Sequence, residues 1–164
     1  IDLLLAPFSH IQLTLGLMIG GLVRGVVVGT AIYLIATLFY GGQVYAPLLL
    51  ILFVFFVSGV FSLLGIIAGL WAEKFDHVSI FSNFFITPMT FLSGVFYSVK
   101  RLPGVWSKVS LFNPVFYMVD MTRYAFIGQS DINPHFSLLV VTTLFVILFA
   151  LVTYLFKIGY KIKD

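Results

Sequence analysis

The residues able to do chemistry in this chain are few and scattered. Its 164 residues include three histidines (His10, His77 and His135), six acidic residues and no cysteine. No two histidines stand at metal-ligand spacing and the acids are equally dispersed, so their pattern describes no metal site. Zero Cys removes disulfides, thiolate chemistry and Cys-based metal sites. The sequence contains no G-x-S-x-G, no H-E-x-x-H and no G-x-x-x-x-G-K-[ST], so it supplies neither a hydrolase nucleophile nor a loop to cradle ATP phosphates. Asp120 and Arg123 are three apart, close enough on a helix to pair, and read as an interfacial ion pair rather than an acid/base couple. Arg24 stands alone in an apolar stretch. In a helix entering the membrane near Gly16 it would lie roughly 12 Å deep, at ~1.5 Å per residue. A charge at that depth costs at least ~2.5 kcal/mol on insertion scales, so Arg24 either snorkels to the nearer interface or lines a polar groove between helices.

The elements around these residues are dictated by composition. The chain is 61% hydrophobic and 9% charged, where a soluble domain carries ~25% charged residues. Residues 25–72, 78–99 and 132–156 contain no Asp, Glu, Lys or Arg. About 20 apolar helical residues cross the ~30 Å hydrocarbon core, so the first stretch holds two crossings and the others one each. Continuous apolar runs without period-two alternation favour helices over barrel strands. The expected fold is an all-α polytopic membrane bundle in a single domain, residues 1–164. Its spans fall at about 15–40, 47–70, 78–97 and 136–156, with 1–14 leading in and 157–164 trailing out. Pro47 suits a first helical turn, and Pro88 predicts a kink near Phe84–Thr87.

Residues 98–135 are too polar for a span and too apolar for a solvated loop. Two short helices are expected there, 104–112 and 115–127, separated by Asn113-Pro114. Asn113, Tyr117, Asp120 and Tyr124 share one face of the second, which suits a segment lying in the interface or dipping into the membrane. In the first span Gly16/Gly20, Gly21/Gly25 and Gly25/Gly29 are each G-x-x-x-G pairs. Such pairs arise by chance in Gly-rich helices, but three within fourteen residues point to close helix packing.

The net charge of +3 is dispersed and offers no nucleic-acid patch. Four spans put both termini on one side, with Lys74, Lys157, Lys161 and Lys163 there and Lys100, Arg101, Lys108 and Arg123 opposite. That tie leaves the positive-inside rule silent, and the Lys-rich tail favours a cytoplasmic C-terminus. There is no initiator Met, basic n-region or cleavage site, as expected of a piece taken from mid-protein.

Several strings are familiar together. Leu92-Ser93-Gly94-Val95-Phe96-Tyr97, then Leu102-Pro103, Trp106, Leu111-Phe112-Asn113-Pro114, Tyr117-Met118 and Arg123-Tyr124 resemble the signature of the ABC-2 type (ATP-binding cassette) exporter permeases. Asp2-Leu3-Leu4-Leu5-Ala6-Pro7, with Gly20-Gly21 and Arg24-Gly25, resembles an earlier part of the same family, with Asp2 where Glu is usual. The bacterial inner-membrane branch is the most similar. The resemblance implies six membrane helices in the whole permease, a second permease subunit forming a homodimer, and two separate cytoplasmic ATPase subunits that bind ATP and Mg. This chain itself would hold no cofactor and would not be an enzyme. The resemblance assigns Asp2, Leu3, Leu4, Ala6 and Pro7 to the cytoplasmic segment gripped by the ATPase. It makes the four spans here the third to sixth, and 98–135 an external re-entrant region. Gly16, Gly20, Gly21, Gly25 and Gly29 are the expected packing positions. Arg24, Pro88, Tyr97, Asn113, Pro114, Tyr117, Asp120 and Arg123 are the expected polar or shaping groups along the route or external gate. A membrane-embedded lipid enzyme and a secondary transporter or structural subunit without a nucleotide partner are the alternatives.

Overall fold

The computed structural model describes residues 9–41, 43–72, 75–98 and 104–160. Every regular element among them is helical: α1 (His10–Tyr40), α2 (Pro47–Trp71), α3 (Phe75–Phe81), a π-helical turn (Ser82–Ile86), α4 (Thr87–Phe91), α5 (Gly104–Phe112), α6 (Pro114–Ile127) and α7 (Pro134–Ile158). Helix starts follow local chemistry. Ser9 and Gln12 form a capping box, in which the Gln12 N–H donates to Ser9 Oγ and the Ser9 N–H donates to Gln12 Oε1. This box starts α1 five residues ahead of the apolar run expected at 15. Asn113-Pro114 and Asn133-Pro134 repeat one device. The Asn side chain accepts from the N–H two residues on, and Pro takes the first turn, where its missing N–H costs nothing. Gly128 and Gly159 end α6 and α7 with φ of 70° and 69°, in the left-handed region that favours glycine.

Among the described residues three helices are long and apolar enough to cross a membrane: His10–Phe39, Pro47–Trp71 and Pro134–Ile158. The stretch expected as a span at 78–97 is built differently. It is helical from Phe75 to Phe91, then turns through Leu92–Tyr97, with Gly94 at φ 78°. Just ahead of Pro88 the register loosens to i→i−5. The Thr87 N–H donates to Ser82 O, and the Thr87 hydroxyl donates to the same carbonyl at 3.2 Å. Proline cannot donate and crowds the carbonyl four residues back, so a π turn absorbs the mismatch where the sequence predicted a kink.

α2 lies between α1 and a layer made by α6 and α7. Phe53, Val60 and Leu63 of α2 meet Phe116, Met118 and Met121 of α6 and Val141, Leu148 and Val152 of α7 in one core. The outward faces stay apolar, as at Ile32, Leu38, Leu48, Ile51, Leu139 and Ile147, which is what hydrocarbon tolerates. Thr14 Oγ1 and Thr153 Oγ1, 3.2 Å apart, bring the start of α1 beside the end of α7. At the opposite end the Tyr45 and Ala46 N–H groups donate to Phe126 O and Ala125 O, tying the α1–α2 connection to the end of α6. The segment read as lying in the interface or dipping into the membrane, α6, is buried against the other helices over Val115–Met118, Asp120, Met121 and Ala125. Its apolar residues surround the helix on most sides, and the bundle covers them.

α1 meets α2 through small residues. A Cβ on Gly21 would collide with Ser62, and one on Gly25 would collide with Ser58, whereas Gly16, Gly20 and Gly29 face open space. The Ser62 hydroxyl crosses the seam to donate to Met18 O at 3.1 Å. Gly21→Ala should therefore lower the thermal midpoint of the detergent-solubilised protein, by about 1–3 kcal/mol of strain. Gly20→Ala should leave the midpoint unchanged or raise it slightly.

Candidate functional site

Two places gather polar groups. The first is a cluster around Asp120, which has no exposed surface. Helix α6 carries it toward the α6–α7 loop, where the Asp131 N–H donates to Asp120 Oδ1 at 2.7 Å. Ser130 Oγ donates to Asp120 Oδ2 at 2.6 Å, and Ser137 Oγ of α7 adds a 3.4 Å contact to the same oxygen. Arg123 does not pair with Asp120. Its Nη1 forms an ion pair with Asp131 Oδ2 at 3.3 Å, and its Nη2 donates to Gly94 O at 2.6 Å in the turn after α4. Ser98 Oγ donates to Asp131 Oδ1 at 2.7 Å. Asp131 thus stands between the two residues expected to pair, giving its N–H to one and its carboxylate to the other.

The start of α6 is fixed by two more side chains. Asn113 Nδ2 donates to Met89 O across to α4, and Tyr117 OH donates to Leu111 O at 2.7 Å. Burial pushes the Tyr117 phenol above its usual pKa, which keeps it a proton donor. Tyr97 OH donates back to Phe91 O at 3.2 Å. Asn113, Tyr117, Asp120 and Arg123 therefore work as fasteners between α4, α5, α6, α7 and the loops joining them. Asp131 and Ser130 went unread in the sequence. Their signal was a Ser-Asp pair directly after the Gly128 that stops α6.

The second place is an open groove of about 650 Å³ along the α1–α2 seam. Arg24 lines it beside Gly21, Gly25, Ser58 and Ser62, and no lining residue comes from α6 or α7. Arg24 is therefore apart from the Asp120 cluster. Pro88 stands behind the π turn and Pro114 opens α6. The coupling positions Asp2, Leu3, Leu4, Ala6 and Pro7 lie outside the described residues. Among the described residues no three His, Cys, Asp or Glu side chains gather to hold a metal ion.

Long apolar helices with outward apolar faces and polar groups fastened inside define a multi-pass helical membrane protein. Residues 2–127 match the ABC-2 type transporter family, and the chain belongs to it. It is 35% identical over 151 residues to the inner membrane transport permease YadH of Escherichia coli (strain K12), covering 92% of this chain and 59% of that protein. It is 31% identical over 106 residues to nodulation protein J of Rhizobium leguminosarum bv. viciae, covering 64% of this chain and 40% of that protein. Nodulation protein J of Sinorhizobium fredii is 31% identical over 124 residues, covering 72% and 47%. The chain thus spans about three-fifths of the length of the first of these relatives. No solved structure matches it. Family and relatives place it as a multi-pass protein of the bacterial inner membrane.

The cluster makes a graded prediction. Asp120→Ala strands the Ser137 hydroxyl and the Asp131 N–H, leaving Ser130 Oγ only Ile132 O, and should cost about 2 kcal/mol or more in unfolding free energy. Arg123→Gln removes a partly exposed pair and should cost about 1 kcal/mol or less. Denaturant titration of both variants in detergent reads the difference.

Proposed function

We propose that this chain belongs to the membrane-spanning permease of an ABC exporter, forming the translocation path and moved by ATP and Mg bound in a separate ATPase subunit. Membership of the ABC-2 type transporter family over residues 2–127 carries the reading, since that stretch runs from Asp2 through the Asn113-Pro114 block. The permease works as a homodimer with two ATPases docked on its cytoplasmic face. Asp2, Leu3, Leu4, Ala6 and Pro7 form the docking segment. The chain crosses four times, Phe75–Phe91 being the third crossing, with α5 and α6 re-entrant from the outside. The contact of Thr14 with Thr153 supports an even number of crossings, because it brings the first and last helices' outer ends together.

Force delivered before Ser9 enters a helix whose first turn is capped. It passes to α2 through the Gly21–Ser62 and Gly25–Ser58 contacts, which make α1 and α2 move as one body. The far end, fastened through Asp120, Arg123 and Asn113, responds as a second body. Arg24 in the seam, Pro88 at the π turn, and Tyr97, Pro114 and Tyr117 by the far end line or shape the path opened between them.

The test is biochemical. The intact permease, purified from inner membranes in mild detergent, should retain a P-loop ATPase detectable by mass spectrometry. Replacing Leu3–Pro7 by Gly/Ser should remove that ATPase while leaving the permease folded. Retention of the ATPase by the altered protein would refute the docking assignment.

A further inference from the structure

Residues 92–98 leave the end of α4 as a strap drawn across to the α6–α7 loop, and they are held in three ways. Behind the strap is an anchor. Asn113 Nδ2 donates to Met89 O and pins the last turn of α4 to the start of α6. At its root is a joint, where the Ser93 N–H donates to Thr90 O and Gly94 takes a φ of 78°, open to glycine at little steric cost. Beyond the joint is a clasp. Arg123 Nη2 donates to Gly94 O at 2.6 Å, while Asp131 receives Arg123 Nη1 on Oδ2 and Ser98 Oγ on Oδ1. The Tyr97 ring also packs against the core.

The clasp and the Asp120 corner share Asp131 but not the same exposure. The Arg123 and Asp131 side chains are 24% and 12% exposed, whereas Asp120 has no exposed surface. Ions that reach a partly exposed pair screen it, and they screen a fully buried carboxylate and its donors far less. The Asp120 donors are the Asp131 N–H, Ser130 Oγ and Ser137 Oγ, none of which depends on Arg123. Asp131 therefore faces two ways: its N–H answers to burial and its carboxylate to ionic strength. Ser93, fully buried beside the joint, is placed to report which side gives way.

We propose that residues 92–98 are a strap that lifts from the end of α4 when the Arg123–Asp131 clasp opens, while Asp120 keeps the α6–α7 loop in place. Salt loosens the clasp and leaves the corner shut. The device needs neither an ATPase nor a transport cycle, so it stands or falls separately from the exporter reading.

The test uses the intact permease in mild detergent, freed of any other cysteine, with one thiol at Ser93→Cys or at Ser137→Cys. Both positions are fully buried, so the rate of reaction with N-ethylmaleimide follows the open fraction at each. Arg123→Gln should raise the rate at Ser93→Cys about fivefold and leave the rate at Ser137→Cys unchanged. Raising NaCl from about 0.05 M to about 1 M should speed Ser93→Cys about twofold or more with Arg123 present, and not in Arg123→Gln. Size-exclusion elution checks the fold, and Ser98→Ala, which removes one tie alone, should give a smaller rise if Arg123→Gln does not fold. Equal rates at Ser93→Cys with Arg123 and with Arg123→Gln overturn the proposal. So does a salt response that persists in Arg123→Gln. A matching rise at Ser137→Cys would mean that strap and corner open as one piece, and overturns it equally.

Discussion

A carboxylate with no water to face must have its oxygens met by donors from the chain, and Asp120 meets that condition through one loop. Asp131 N–H and Ser130 Oγ, both between α6 and α7, together with Ser137 on α7, surround it. This one arrangement sets where the α6–α7 loop lies, and much else is built on α6. The α1–α2 connection hangs from its last carbonyls, α4 is held to its first turn by Asn113, and the turn at Gly94 is held by Arg123. A low-dielectric setting makes such bonds strong when complete and costly when broken. The far end of the bundle is therefore a single fastened unit.

The α1–α2 seam uses a different principle. Hydrocarbon gives helices no hydrophobic reason to associate, so close packing must do it. Gly21 and Gly25 let Ser62 and Ser58 approach the α1 backbone, and one hydroxyl crosses to a carbonyl. α1 otherwise presents apolar side chains outward. A helix is thus held by shape along one seam, beside a corner held by charge and hydrogen bonds.

The long helices were legible because insertion into lipid demands long apolar runs with very few charges, and α1, α2 and α7 occupy such runs, α1 with Arg24 inside it and α7 with Lys157 in its last turn. Their ends were legible in principle too. Ser9-x-x-Gln12 and Asn133-Pro134 are start signals that extend α1 and α7 beyond the apolar runs. The third stretch was harder, since Gly94 stops the helix inside a run with no charge to mark it. The pairing of Asp120 was not readable from spacing. Arg123 sits three residues away, yet a loop eleven residues on supplies the Asp120 partner and takes Arg123 as well. Local spacing reports what can touch along a helix, and tertiary folding decided between that and the loop. The glycine pairs were half informative, because spacing defines a face without saying which faces have neighbours.

The arrangement of the chain across the bilayer is tested most directly by its own lack of cysteine. Single substitutions His10→Cys, Gln129→Cys and Tyr160→Cys place one thiol at each exposed end of the bundle. A membrane-impermeant maleimide applied to spheroplasts should label Gln129→Cys at once, and the other two only after the membrane is opened. Labelling of His10→Cys and Tyr160→Cys from opposite sides, or of all three from the same side, would contradict a helical bundle that begins and ends in the cytoplasm.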